Sequence, residues 1–262
     1  MTIRRKLCLA AAAAAVLSFR AGRSLAADNP IEFAPPPIVY PEFSLGEKSS
    51  KISPAFLHLH GAGYSLTGLG GNYTRRTALK IDKWAYDWQA GAMFIGGKIE
   101  GYPHPLIFGL NGGLNVEYQF YKSEGISMLG YLGGVVTYNI TFYDFPSFST
   151  DKLSPGSFIF GIPVGVEAKV PFNPKWEMIP FVGMTRYLGG IKIFTDGTEH
   201  IAGYTAPLVG ADVLYKPWDL SLGAIFSQVV GGGNNAKNGT IQVSGSWRYG
   251  KDVKTPMFGS SK

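Results

Sequence analysis

A histidine pair is the first place in the sequence where residue type and spacing could support chemistry. His58 and His60 are two residues apart in an alternating stretch, so in a β-strand their side chains would share one face. Two imidazoles on one face can begin a metal site, but zinc needs further ligands. The stretch supplies neither a cysteine nor a nearby carboxylate. We therefore expect hydrogen-bonded or hydrated histidines, and no metal or cofactor.

A second group of reactive residue types lies in a polar stretch late in the chain. Asp196 and His200 are close in sequence, and Ser157 and Thr198 are hydroxyl residues that a fold could bring near them. Hydrolysis requires a nucleophile, a base and an orienting group in one set, and this spacing matches no such motif. Loops also carry polar residues for general reasons. The sequence predicts no catalytic residue, and an enzyme acting on lipids or peptides is the alternative.

Most of the remaining polar candidates stand at every second position of otherwise apolar runs. Because unpaired buried charge is costly, the expected arrangement is a hydrogen-bonded interior network, with a selective pore as the functional alternative. No glycine-rich phosphate loop follows a strand, so nucleotide binding has no support. The candidates for an inward-facing polar set are His58, His60, Asp87, Asn111, Asn115, Glu117, Glu167, Lys169, Asp212 and Arg248.

The elements that must position these residues are read most clearly at residues 106–142. Leu110, Leu114 and Val116 alternate with Asn111, Asn115 and Glu117, and after a short polar turn the alternation resumes. A period of two predicts strands, because successive side chains of a strand point to opposite faces. Each run is well over the roughly five or six residues usual in soluble domains. The segment is typical of a transmembrane β-hairpin.

The connections between predicted strands fall into two sets. Tight turns are expected at residues 82–84, 122–125, 173–176 and 216–218, and longer connections at 97–105, 143–156, 195–200 and 231–239. Strict alternation of the two sets predicts about ten antiparallel strands, with eight or twelve as alternatives. The tight turns repeatedly carry lysine and tryptophan, as expected at a membrane interface. The predicted interface aromatics are Trp84, Trp88, Trp176, Trp218 and Trp247.

Alternation alone does not say which face of the wall is inside. A soluble, lipocalin-like binding barrel would turn its apolar face inward. Strand length, the many glycines on the polar face and aromatic residues at the strand ends favour the membrane arrangement. In hydrocarbon every backbone N–H and C=O needs a protein partner, so the sheet must close on itself. The predicted fold is therefore an all-β, transmembrane, antiparallel up-and-down β-barrel.

The segments before and after the predicted barrel differ from it in composition. Residues 1–27 have a basic start, an apolar alanine-rich core and small residues before Asp28, which is typical of a secretory signal. That segment carries five basic residues and no acid, so its removal lowers the net charge from +6 to +1 and leaves no basic patch for nucleic acid. It also holds the single cysteine, Cys8. Residues 28–53 are a proline-rich periplasmic segment, 54–249 the barrel and 250–262 a polar tail.

The signal, long amphipathic strands, alternating turns and aromatic final strand at residues 240–249 together resemble bacterial outer-membrane β-barrel proteins. One departure is that the chain continues past its last aromatic strand residue as a polar tail. The resemblance implies residence in the outer membrane with its lipid as partner. The expected function is a structural barrel or a narrow channel for small solutes or apolar molecules. A lipid-modifying or proteolytic barrel enzyme and a soluble binding barrel are the alternatives.

Overall fold

The computed structural model describes residues 48–61, 63–79, 81, 83–100, 104–123, 125–142, 156–193, 198–230 and 238–252. Nearly all of them lie in β-strands, because apolar and polar side chains alternate along each run. A 3₁₀ turn occupies Lys216–Trp218. The strands are β1 (Lys48–Gly61), β2 (Tyr64–Ala78), β3 (Trp84–Ile99), β4 (Leu106–Ser123), β5 (Ile126–Phe142), β6 (Gly156–Pro171), β7 (Trp176–Ile193), β8 (Thr198–Ile201), β9 (Tyr204–Tyr215), β10 (Leu220–Gln228) and β11 (Gly239–Asp252).

The strands form one closed antiparallel sheet. Each long strand pairs with the next in sequence, and β1 pairs with β11, which closes the wall. The short β8 pairs with the last residues of β7, while β9 pairs with the rest of β7. Together β8 and β9 occupy one position in the wall, so the barrel has ten wall positions. The predicted ten-stranded up-and-down barrel is confirmed.

The connections separate into two ends of the barrel. At the end where β1 begins and β11 finishes, here called the turn end, the connections lie near Lys83, Gly125 and Asp219 and at residues 172–175. Lys83, Gly125 and Asp219 have φ of 68°, 82° and 54°, the left-handed region that tight turns use. Asn173 Oδ1 accepts backbone N–H bonds from Lys175 and Trp176 at 2.9 and 3.0 Å. The opposite end, the loop end, carries the longer connections that were expected, together with the short connection of two residues between β1 and β2.

The first strand begins earlier than the sequence predicted. β1 starts at Lys48 and runs through Pro54, so the predicted barrel start at 54 is wrong. Pro54 pairs with Gly71 of β2, whereas the pairing of β1 with β11 passes from Ile52 to Ala55. A proline has no N–H to donate, so it is tolerated where the ladder is interrupted on one side. The last strand likewise continues past 249 to Asp252.

Several predicted segments lie outside the described residues. These are the signal at 1–27, most of the proline-rich segment and the tail beyond residue 252. Within the part of the chain that the structure describes, no helix is long and apolar enough to cross a membrane.

The two faces of the wall have opposite chemistry. Along β4, Leu110 and Leu114 are 43% and 54% exposed on the outside, whereas Asn111 and Asn115 are 6% and 1% exposed on the inside. Inward-facing and outward-facing positions alternate in the same way along β5 and β11. The predicted alternation therefore gives the correct sidedness for these strands, with the apolar face outward.

Candidate functional site

The lumen is filled by two layers of side chains, and the layer nearer the turn end is polar. On one side of it, Arg76 Nε lies 2.5 Å from Glu117 Oε2, with both side chains buried. Asn115 Nδ2 donates to Asp87 Oδ1 at 3.0 Å on the neighbouring strand. These residues meet because β2, β3 and β4 are paired in register, with Arg76 opposite Asp87 and Asp87 opposite Asn115.

The other side of this polar layer is built around two further carboxylates. Asp212 Oδ2 lies 3.5 Å from Lys51 Nζ and 3.9 Å from Arg248 Nη2. Lys51 and Arg248 are paired residues of β1 and β11. Closer to the rim, Glu177 is held between Lys169 at 3.3 Å and Lys216 at 3.0 Å. Each buried carboxylate in these pairs has a cation as partner, which offsets the cost of removing charge from water.

Glu167 differs from the other carboxylates of the polar layer. It is 1% exposed, and no described group donates a hydrogen bond to either of its carboxylate oxygens. Its electrostatic neighbours are mixed in sign: Lys51 and Arg248 attract it, while Glu117 and Asp212 repel it. It therefore lies between the two clusters of ion pairs, and both of its carboxylate oxygens have hydrogen-bonding capacity to spare.

The layer nearer the loop end, here called the apolar layer, consists mainly of apolar side chains, which the alternation did not predict. Asn139 and Thr141 of β5 are buried polar residues at the same level of the wall. Leu57, Leu66, Met93 and Ile107 are 0% exposed although they point into the lumen. Across the barrel, Ile159, Tyr187, Tyr204 and Val229 form a second buried cluster, and Tyr187 stacks on Tyr204 with ring centroids 4.7 Å apart. A third cluster joins Phe181, Leu208 and Ile225. Within each of these clusters the side chains are packed like those in the core of a soluble domain.

The sequence-predicted polar candidates are not all inside. Asp87, Asn111, Asn115, Glu117, Glu167, Lys169, Asp212 and Arg248 lie on the inner face. His58 and His60 lie on the outer face, so their placement in the lumen is corrected. The inward parity of Lys51 and Ser53 continues without a shift to Leu57 and Leu59, which are 0% and 1% exposed. The histidines, at the intervening positions, point outward.

The predicted interface tryptophans all lie on the outer wall at the turn end. Each is paired with a tyrosine ring: Trp84 with Tyr118, Trp88 with Tyr73, Trp176 and Trp218 with Tyr215, and Trp247 with Tyr249. All five tryptophans are exposed, from 37% for Trp84 to 68% for Trp218. A girdle of exposed aromatics below an apolar outer band is the surface that a lipid bilayer requires.

The outer wall is mainly apolar, the lumen near the turn end is charged, and the described strands form a sheet with no free edge. The chain is a transmembrane β-barrel. A soluble binding barrel would place the charged side chains outside and the apolar ones inside around the whole wall. Barrels of this kind reside in the bacterial outer membrane, with tight turns toward the periplasm and longer loops outside. The turn end therefore faces the periplasm and the loop end faces the cell exterior.

Solved outer-membrane barrels show a similar overall form. The attachment invasion locus protein Ail of Yersinia pestis is 14% identical, with 78% of this chain and 99% of that chain covered and a TM-score of 0.34. An outer-membrane channel from Pseudomonas putida F1 is 10% identical, covering 79% and 97%, with a TM-score of 0.41. The translocator domain of autotransporter NalP from Neisseria meningitidis is 9% identical, covering 78% and 89%, with a TM-score of 0.42.

The assignment of the chain as a transmembrane barrel rests on its own inner and outer surfaces. No protein-family model matches the sequence, and no curated protein matches it either.

The histidine candidates for hydrolytic or metal chemistry lie in different places. His200 is exposed on β8 at the loop end, whereas His58 and His60 lie on the outer wall of β1. Asp196 lies outside the described residues. Among the residues that are described, no three metal-ligating side chains converge. The geometry assembles an ionic network and an apolar layer in the lumen.

Proposed function

We propose that the protein is a structural, non-enzymatic outer-membrane barrel whose lumen is closed to passive diffusion. The observation that carries this proposal is the apolar layer across the upper lumen. Four of its members on β1 to β4 are 0% exposed, namely Leu57, Leu66, Met93 and Ile107. An ion passing these closely packed apolar side chains would lose its hydration and gain few polar partners. Hydrophobic constrictions block conduction for this reason.

The polar layer, in the periplasmic half of the barrel, also supports a closed lumen. Its charged side chains are paired across strands that are distant in sequence, such as Arg76 with Glu117 and Lys51 with Asp212. Such pairs hold the wall strands in one register and leave few charges free to bind a passing solute. Buried polar groups that satisfy one another specify a single arrangement of the interior. The lumen thus stabilises the barrel and does not conduct.

A narrow route for small solutes is the second candidate, and Glu167 favours it. Its carboxylate receives no hydrogen bond from the described residues, so it could receive one from a small cationic or hydrogen-bonding solute entering from the periplasm. A carboxylate within the membrane-spanning part of a protein is by default a candidate for a functional role. The apolar layer above it would still have to open for passage, which is why the closed barrel is preferred.

Planar-bilayer recording of the purified, refolded protein tests the proposal. We expect no steady conductance from the wild-type chain. A triple variant that shortens inward-facing side chains of the apolar layer should conduct. Its substitutions are Leu66→Ala, Met93→Ala and Ile107→Ala. The matched control truncates outward residues on the same strands, Leu69→Ala with Phe94→Ala and Phe108→Ala, and should remain silent. Steady ohmic current through the wild-type barrel, abolished by Glu167→Gln, would instead establish the solute route.

An enzymatic role is tested separately. Incubation of the folded barrel with lipopolysaccharide, phospholipid and peptide substrates should give no turnover. Turnover that is lost in His200→Ala, while the variant stays folded and heat-resistant, would replace the structural proposal with the enzyme.

A further inference from the structure

The outer wall changes character near the loop end of β1, β2 and β3. Phe56, Leu69 and Phe94 form an exposed apolar row on these strands, 49%, 66% and 57% exposed. Toward the loop end, the next outward residues of β1 and β2 are His58 and Thr67. Beyond them lie His60, Ser65 and Lys98, one from each strand. The wall therefore passes from hydrocarbon-facing to polar at this level.

The polar residues are aligned across the strands by the register of the sheet. His58 pairs with Thr67 and His60 pairs with Ser65, and Ser65 pairs in turn with Lys98. Neighbouring strands are about 4.8 Å apart, so the His60, Ser65 and Lys98 positions span roughly 10 Å. A group the size of a phosphate can be reached by all three side chains, since lysine is long and flexible.

The two imidazoles are held in place by their surroundings. His58 Nδ1 and the Thr67 hydroxyl share a hydrogen bond of 3.0 Å. The ring of His60 stacks on that of His58 with centroids 5.9 Å apart and planes 18° from parallel. On the other side His60 lies over Gly239 of β11, where a Cβ would come within 2.7 Å of the ring. The glycine thus makes room for the imidazole on the outer wall.

We propose that this surface, defined by His58, His60, Ser65, Thr67 and Lys98, binds a phosphate group of a phosphorylated glycolipid in the outer leaflet. Ammonium, imidazole and hydroxyl groups are hydrogen-bond donors, and donors that carry charge bind phosphate oxygens most strongly. None of the five is acidic; Glu100, the nearest acidic residue along β3, follows that strand toward the rim. The apolar row beneath would contact the acyl chains of the same lipid.

The partner follows from the position of the surface. It lies outside the lumen, next to the hydrocarbon-facing band, at the end of the barrel that faces the cell exterior. The lipid headgroups at that level belong to the outer leaflet, where lipopolysaccharide carries phosphate groups. A lipid held there would fix the depth of β1, β2 and β3 in the membrane. This inference does not depend on whether the lumen conducts.

The test is native mass spectrometry of the full barrel in detergent, titrated with diphosphoryl lipid A and with the same lipid after removal of its phosphates. We expect the diphosphoryl form to bind about tenfold more tightly, the effect of losing one or two charge-assisted hydrogen bonds. Lys98→Gln combined with His60→Gln should remove most of this preference. Lys175→Gln, which changes an exposed lysine at the opposite end, should retain it.

Three outcomes would overturn the proposal. The first is equal binding of the two lipids by the wild-type barrel, and the second is an unchanged preference in the double variant. The third is full competition by inorganic phosphate, which would make the surface a site for soluble anions. Heat-dependent gel mobility checks that each variant is folded. If the double variant does not fold, Lys98→Gln alone, at an exposed position, must still lower the preference.

Discussion

The pair formed by Arg76 and Glu117 shows how single residues stabilise this barrel. Both side chains are buried and their charged atoms lie 2.5 Å apart. Removing one partner would leave the other charge in the lumen without compensation, which costs more than the pair itself contributes. The network is therefore more sensitive to the loss of one charge than to the loss of both.

We predict that Arg76→Ala destabilises the barrel by about 3–5 kcal/mol, the usual cost of leaving a buried charge unpaired. The measurement is reversible urea unfolding in lipid vesicles. Lys175→Ala, at an exposed turn position, should change stability by less than about 0.5 kcal/mol. The double variant Arg76→Leu with Glu117→Leu should lose less stability than Arg76→Ala. Equal, small effects of Arg76→Ala and Lys175→Ala would contradict the network.

Eight of the inner polar residues could be predicted because they alternate with apolar neighbours, whereas Lys51, Arg76 and Glu177 were not among the predicted candidates. That rule placed His58 and His60 wrongly, because they alternate with Leu57 and Leu59, which are apolar residues that face the lumen. Counting alternate positions along the strand would have placed the two histidines correctly. Counting in steps of two from Lys51 and Ser53 reaches Leu57 and Leu59 inside, which leaves the histidines outside.

Glycines opposite aromatic side chains set the packing between neighbouring strands. The hydroxyl end of Tyr131 on β5 lies over Gly165 of β6 and Gly183 of β7. A Cβ at Gly165 would also come within 2.6 Å of the Val182 carbonyl oxygen, and one at Gly183 within 2.6 Å of the Val164 carbonyl oxygen. Because backbone atoms cannot move aside as a side chain can, these two positions require glycine.

We predict that Gly165→Ala lowers stability by about 1–3 kcal/mol, as overpacking of a well-filled interior does. Gly134→Ala is the matched control, because a Cβ there meets nothing within 4 Å on the outer face of β5. Unfolding of the two variants in the same vesicles gives the comparison. If Gly134→Ala proves as damaging as Gly165→Ala, the effect comes from strand propensity and not from the contact with Tyr131.

At the scale of strands, the sequence predicted which segments are extended but not every irregularity. In the sequence of β7, apolar residues stand on both parities around Pro180 and Arg186, a pattern that is typical of a β-bulge. The pairing of β7 with β9 instead runs unbroken through Pro180 and Arg186, and the shift lies where β7 meets Phe160 and Gly161. Ile179 and Phe181 are apolar residues that face the lumen. In the sequence they look like a break in the alternation, although the strand is regular there.

For the whole molecule, the sequence predicts that the sheet closes into a barrel and that its apolar face points outward. It does not predict that the lumen has one polar layer and one apolar layer. Long alternating strands and two classes of connection suffice for a closed transmembrane barrel. In β3 the run Met93, Phe94 and Ile95 is apolar on both faces, so periodicity cannot tell which residue faces lipid. Only the pairing of many strands reveals that Met93 and Ile95 join Leu57 and Leu66 in one buried layer.

The most direct test of the account is the accessibility of single cysteines along β4, at Leu110, Asn111, Leu114 and Asn115. The sequence contains one natural cysteine, Cys8, which lies in the predicted signal, so the background is simple. Fluorophores at Leu110→Cys and Leu114→Cys should be quenched by nitroxide-labelled lipids. Asn111→Cys and Asn115→Cys should escape that quenching and react slowly with a charged thiol reagent added from either side. Fast reaction at Asn115→Cys would show an open lumen, and lipid quenching at the asparagine positions would show that the faces are reversed.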